Sequence, residues 1–179
     1  MIEIVIPDME LYDETKNEFI TTKGQSLILE HSLVSVSKWE SKWHKPFLTN
    51  NPKTIDESID YIKCMTITQN VKPKIYSMIN ECNILEIKKY IDDDMTATTF
   101  NVSSKAKNNE IITSELIYYW MVSFNIPFEC QKWHLNRLLT LLNVCKLKNE
   151  PPKKMSRSEI ISRNSAINEA RKKALNSKG

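Results

Sequence analysis

Glycine is almost missing from this chain: Gly24 and Gly179 are the only two in 179 residues. Tight hairpin turns and phosphate-cradling loops both lean on glycine, because they need positive φ or a very close backbone approach. Neither GxGxxG nor GxxxxGK can exist here, which argues against the common nucleotide-binding enzymes. An all-β architecture full of tight turns is equally poorly served. What remains is a chain built mostly of helices, with polar connections in place of sharp corners.

A hydrophobic content of 41% is enough for a core, and the length suits one domain, or one domain plus an extension. The expected class is α+β, mainly α. It comprises a small N-terminal antiparallel β-sheet (1–32), a helical body (33–150) and a basic C-terminal extension (151–179) that carries a helix. In the first part Ile2, Ile4 and Ile6 alternate with Glu3, Val5 and Pro7, and EFITT follows the polar turn YDETKN. SLILEHSL follows Lys23-Gly24 as a third strand-like run.

From Leu33 the apolar spacing becomes helical. Val36, Trp39 and Trp43 share one side of a helix stopped by Pro46. Thr54-Ile-Asp-Glu57 reads as a capping box opening a second helix, and Ser156-Arg-Ser-Glu159 reads as another opening a basic helix to about Leu175. Short helices are expected at 74–80 and 84–92, and a polar loop at 101–109. A helical hairpin follows, with one arm at 111–124 and a leucine-rich arm at 130–146. Pro151-Pro152 then breaks the chain. The expected core includes Trp39, Ile62, Leu116, Trp120, Leu135, Leu138 and Leu142.

The stretch KWESKWHKPF (38–47) poses the sharpest functional question. Trp39, Trp43 and His44 could form a base-stacking platform, with Lys38, Lys42 and Lys45 on phosphates. They could instead pack the first helix on the sheet or against the hairpin, with the lysines solvated on the other face. Stacking platforms usually sit on strands or loops, and Glu40 interrupts the basic face. Packing is the expectation, with any exposed ring edge serving protein contact.

Other groupings carry less. Cys130-x3-His134 has the spacing of a ligand pair on a helix, but a zinc site needs two more ligands and no other paired spacing exists. A buried thiol beside a core histidine is the simpler reading. Asp92-Asp93-Asp94 splay from a helix end and read as solvated. The second arm of the hairpin is too apolar to read a DNA groove, offering only Lys132, Asn136 and Arg137 in its first turns. No catalytic residue, metal ligand or cofactor site is expected.

The four cysteines form no CxxC pair, and MIEIVIPDME has no signal-peptide character. A reducing cytoplasm with free, buried thiols is therefore expected. Charge is uneven. Residues 151–179 hold eight basic and two acidic side chains, +6, so the overall +3 leaves −3 on residues 1–150. Such asymmetry signals a partner. The candidate contact residues are Trp39, Trp43, Lys153, Lys154, Arg157, Arg163, Arg171, Lys172 and Lys173. Apolar positions Met155, Ile160, Ile161, Ala166, Ile167, Ala170 and Ala174 add a partial stripe to the same segment.

The phrases LEHSLVSVSKWESKWHKPFL, YIKCMTITQNV, MTATTF, EIITSELIYYWMVSFNIPFECQKWHLNRLLTLLNVCKLKN and PPKKMSRSEIISRNSAINEARKKALNSKG resemble a family of small proteins of tailed double-stranded DNA bacteriophages. These are encoded in the tail-gene module and labelled tail assembly chaperones. The likeness runs from about Leu29 to Gly179, and the first 28 residues match in general pattern alone. It implies a non-enzymatic partner of the tape-measure protein or of tail-tube subunits, present in the host cytoplasm during assembly. The alternatives are a structural virion component at the neck, baseplate or tail tip, and a nucleic-acid-binding protein using the basic tail. No catalytic motif comes with the resemblance.

Overall fold

The N-terminus forms one long antiparallel hairpin, broken in the middle. In the computed structural model, which describes residues 1–14, 17–100, 111–149 and 156–176, β1 (Ile2–Ile6) pairs with β4 (Gln25–Leu29) and β2 (Met9–Asp13) pairs with β3 (Glu18–Thr22). The loop expected at 101–109, the Pro151-Pro152 break, Lys153 and Lys154 lie outside the described residues. So does Met155 of the proposed apolar stripe. Strand β2 was not expected, because MELYD leads straight into a segment that reads as a polar turn.

The interruption has a clear cause. Pro7 cannot donate to a ladder, and opposite it Gly24 donates its N–H to the Asp8 carboxylate at 2.6 Å. A Cβ on Gly24 would sit 1.9 Å from the Ile6 carbonyl oxygen. Gly24→Ala is therefore expected to force the strands apart and lower stability by about 1–3 kcal/mol. A urea midpoint unchanged from the parent chain would show that the crossing is not tight.

Below the break, alternation does the sorting. Ile4, Ile6, Leu27 and Leu29 are buried while Glu3, Val5, Ser26 and Ile28 face out. Above it, Tyr12 and Phe19 stand opposite each other with ring centroids 5.1 Å apart, both exposed.

Helices follow: α1 (Leu33–Trp43), α2 (Ile55–Met65), α3 (Pro73–Ser77), α4 (Glu81–Ile91), α5 (Ser114–Ser123), α6 (Leu135–Asn149) and α7 (Arg157–Leu175). The protein is α+β, mainly α, with 56% of residues helical. Both capping boxes form, Thr54 with Glu57 and Ser156 with Glu159, and Asn80 with Asn83 makes a third. Among the described residues no helix is long and apolar enough to cross a membrane.

The expected arm at 111–124 starts late, at Ser114, and the expected helix at 130–146 divides into a 3-10 turn (Phe128–Lys132) and α6. Leu116 and Trp120 are half-buried rather than central, whereas Ile117 and Met121 are fully covered. The phase of α5 is set by its capped start, where Thr113 accepts from the Leu116 N–H at 3.4 Å. A helix apolar on every side leaves that phase unmarked in sequence.

The chain forms two compact units, Met1–Cys145 and Lys146–Gly179. The first has one continuous core joining the lower hairpin to α1 through α6. Its hub is the segment after β4. The Glu30 N–H donates to the Met65 carbonyl at 2.9 Å, and the His31 carbonyl accepts from the Leu135 N–H at 2.8 Å. The second unit contains α7, all of whose residues are exposed.

Candidate partner-contact site

The sequence around the two tryptophans makes a clamp between helices. Trp39 and Trp43 lie four positions apart on α1, a little over one turn, so their rings stack with centroids 6.2 Å apart. Each indole is then held by α2. Trp39 donates its Nε1–H to the Glu57 carbonyl at 2.9 Å, and Trp43 donates to the Asp60 carboxylate at 3.0 Å. Trp39 is 1% exposed. It is thus corrected from a candidate contact residue to a core residue, since its polar atom and its ring are both consumed inside the fold. Trp43 is half-buried against it.

Two of the three lysines pair with α2 carboxylates. Lys42 bridges Asp60 at 2.6 Å and Lys45 bridges Glu57 at 2.7 Å. The Lys53 ammonium lies 4.1 Å from the Phe47 ring centroid. Burial lowers its pKa, and Glu57 partly offsets that. His44 adopts φ 52° at the α1 C-cap, outside the stack. A basic platform open to bases is not what this segment presents.

Sequence reasoning missed the role of Glu40. Its carboxylate is buried, with Oε1 accepting from the Phe47 N–H at 2.7 Å and Oε2 accepting from the Ser114 N–H at 2.7 Å. Ser114 opens α5, so the anion also meets the positive end of that helix. One side chain thereby ties α1 to the following loop and to α5. Glu40→Ala would strand two buried N–H groups, at about 1–3 kcal/mol each. A loss of about 2–5 kcal/mol is expected in urea titration, and a loss below 1 kcal/mol would mean water reaches both donors.

A second buried group joins four elements. His31 Nδ1 and the Tyr61 hydroxyl share a hydrogen bond of 2.5 Å, and the His31 ring meets the His134 ring edge-on at 5.1 Å. His134 donates Nε2–H to the Tyr90 carbonyl at 3.0 Å, while its buried Nδ1 has no partner among the described residues. Tyr90 in turn donates its hydroxyl to Glu30 at 2.6 Å. Burial and the neighbouring His134 hold the His31 pKa down to about 3. Burial also lowers that of His134, against the pull of the Tyr90 carbonyl and Glu30. Burial pushes the Tyr61 hydroxyl well above its usual value. The two histidines are 2% and 6% exposed, and this network ties the segment after β4 to α2, α4 and the start of α6.

The remaining sequence candidates fall as follows. Cys130 is buried on the 3-10 turn and His134 precedes α6, so they share no helical face. Cys64 and Cys145 are half-buried and Cys82 is exposed, which corrects the expectation of uniformly buried thiols; all four are free. Asp92, Asp93 and Asp94 are exposed beyond α4. Leu135, Leu138 and Leu142 put the inner face of α6 in the core. Among the described residues no three His, Cys, Asp or Glu side chains stand together as metal ligands would.

The basic residues Arg157, Arg163, Arg171, Lys172 and Lys173 all lie on α7, with Glu159 and Glu169 its only acids. The helix ends are well made. The N-terminal box puts Glu159 at the positive pole, and Lys172 and Lys173 sit at the negative one before a left-handed Asn176. Its sides carry Ile160 and Ile167, 45% and 38% exposed. This is a formed helix in which no residue is buried.

No family model matches the chain, and no curated protein or solved structure matches it either.

Proposed function

We propose that this protein works by protein–protein contact in building the tail of a double-stranded DNA bacteriophage. In this reading it is a non-enzymatic assembly chaperone that binds the tape-measure protein or tail-tube subunits in the host cytoplasm. The observation that carries the contact reading is α7, whose 19 residues are all exposed, basic and apolar alike. The phage assignment rests on the phrases from Leu29 onward that resemble tail assembly chaperones. The polar groups of the body are engaged in holding helices together, which fits a binding protein better than a catalyst. No ligand, cofactor or membrane is needed for this role.

Mass spectrometry of purified virions and of infected-cell lysate tests it. The chaperone reading expects abundance in lysate and absence from the particle, whereas stoichiometric presence would make the protein a virion component. A chain ending at Asn149 is further expected to keep a cooperative unfolding transition, because α7 contributes no buried residue. It should lose its copurifying tail protein, and residual association should depend less on salt once +6 of charge is gone. Copurification unchanged by the truncation would move the contact to the body.

A further inference from the structure

The exposed side of α7 has a repeat that defines what can cover it. Ile160, Arg163, Ile167, Ala170 and Ala174 follow one another at steps of three, four, three and four, the spacing of a heptad seam. The seam runs fifteen residues, fourteen steps or about 21 Å at the α-helical rise. Arg157 and Arg171 flank it on one side and Lys173 on the other, with Glu159 the one acid beside it; Glu169 points elsewhere. An isolated helix of this length is marginal in water, so burial of the seam would add the stability it lacks.

Charge selects among occupants. A parallel second copy would set Arg163 against Arg163 in the seam. An antiparallel copy centred to overlay Ile160 on Ile167 would bring the two Arg163 side chains together at the two-fold axis. Duplex DNA would answer the cations and leave Ile160 and Ile167 bare.

Resting on the reading of α7 as the contact element, we infer that this face docks an acidic amphipathic helix of a partner protein. That helix has an apolar stripe of about four turns to cover Ile160, Ile167, Ala170 and Ala174, and Asp or Glu beside it to meet Arg157, Arg171 and Lys173.

The test titrates the full-length protein with labelled helical 21-residue peptides of heptad design. One has Leu in the seam and Glu on the flanks, a second has Leu and Lys, and a third has Ser and Glu; a 20-base-pair DNA duplex is the fourth probe. The Leu/Glu peptide is expected to bind at least tenfold more tightly than any other. Ile160→Ser/Ile167→Ser should weaken it at least tenfold. Arg157→Glu/Arg171→Glu/Lys173→Glu should reverse the preference toward the Leu/Lys peptide. Near-UV circular dichroism monitors the body, which these surface changes leave intact.

No binding of the Leu/Glu peptide overturns the inference, as does equal binding of the Ser/Glu peptide or tighter binding of DNA. A dimer in sedimentation equilibrium that the Ile160/Ile167 variant dissolves would assign the face to a second copy. Copurification of tail proteins that survives both variants would overturn this docking mode while leaving the tail-assembly role standing.

Discussion

Trp39→Ala is expected to lower stability by about 3–5 kcal/mol, the range for deleting a fully buried large aromatic side chain. Three contacts go with the ring. Its Nε1–H bond to the Glu57 carbonyl is lost, its stack on Trp43 is lost, and Phe47 loses the edge-on neighbour at 5.2 Å. Trp43→Ala should cost less, about 1–3 kcal/mol, because half of that ring already meets solvent and Lys42 can still pair with Asp60. Urea titration of both variants gives the ordering. A body that tolerates Trp39→Ala with under 1 kcal/mol lost would reopen the stacking reading of KWESKWHKPF.

Acid is expected to destabilise the protein well before its carboxylates titrate. The folded state holds His31 neutral down to about pH 3, whereas the unfolded chain protonates it near the ordinary value of about 6.5. Below that pH the unfolded state binds a proton that the folded state refuses. Stability is therefore fully present above about 6.5 and falls as pH drops toward the folded value. From pH 7.5 to 5, His31 alone should account for a loss of about 2 kcal/mol, and His134, also lowered, acts in the same direction.

Nearer pH 4 a further loss begins. Burial raises the Asp60 pKa, but hydrogen bonds from Lys42 and Trp43 outweigh it and the net shift is downward. A depressed carboxylate stabilises above its unfolded value and loses that contribution as pH falls. Urea midpoints between pH 7.5 and 5 check the histidine part. His31→Gln should flatten that slope even if it starts from a less stable baseline. A slope that is flat in the parent, or unchanged in the variant, would mean the His31 ring is protonated in the fold.

These two effects differ in how far the residues announced them. That the two rings share one face and pack was readable, because Trp39 and Trp43 lie about a turn apart; that they and Lys42 and Lys45 seat on α2, rather than on the sheet or the hairpin with the lysines solvated, was not. The capping boxes at Thr54 and Ser156 act within four residues, so short spacing captures them fully. Glu40 was readable only as a break in a row of lysines, because its second partner, the Ser114 N–H, lies 74 residues away. The same distance problem hid the His31–His134 contact and the Asp8–Gly24 clamp. The rotation of α5 was hidden for another reason: Leu116, Ile117, Tyr118, Trp120 and Met121 are all apolar, so no polar face marks the outside. On α7 the cations were legible one by one. The heptad beneath them needed the helix bounds before its seam could be traced.

Trp39 lies in the core, and the proposed partner contact lies on α7. Amide hydrogen exchange of the full-length protein, alone and with the Leu/Glu peptide, tests both halves at once. In the free protein, α1 and α2 amides should exchange only through global unfolding, while α7 amides exchange orders of magnitude faster because none of its residues is buried. Adding the peptide should slow exchange across 157–175 and leave 38–47 unchanged. Fast exchange in 38–47 of the free protein, with new protection there on binding and none in α7, would contradict the account.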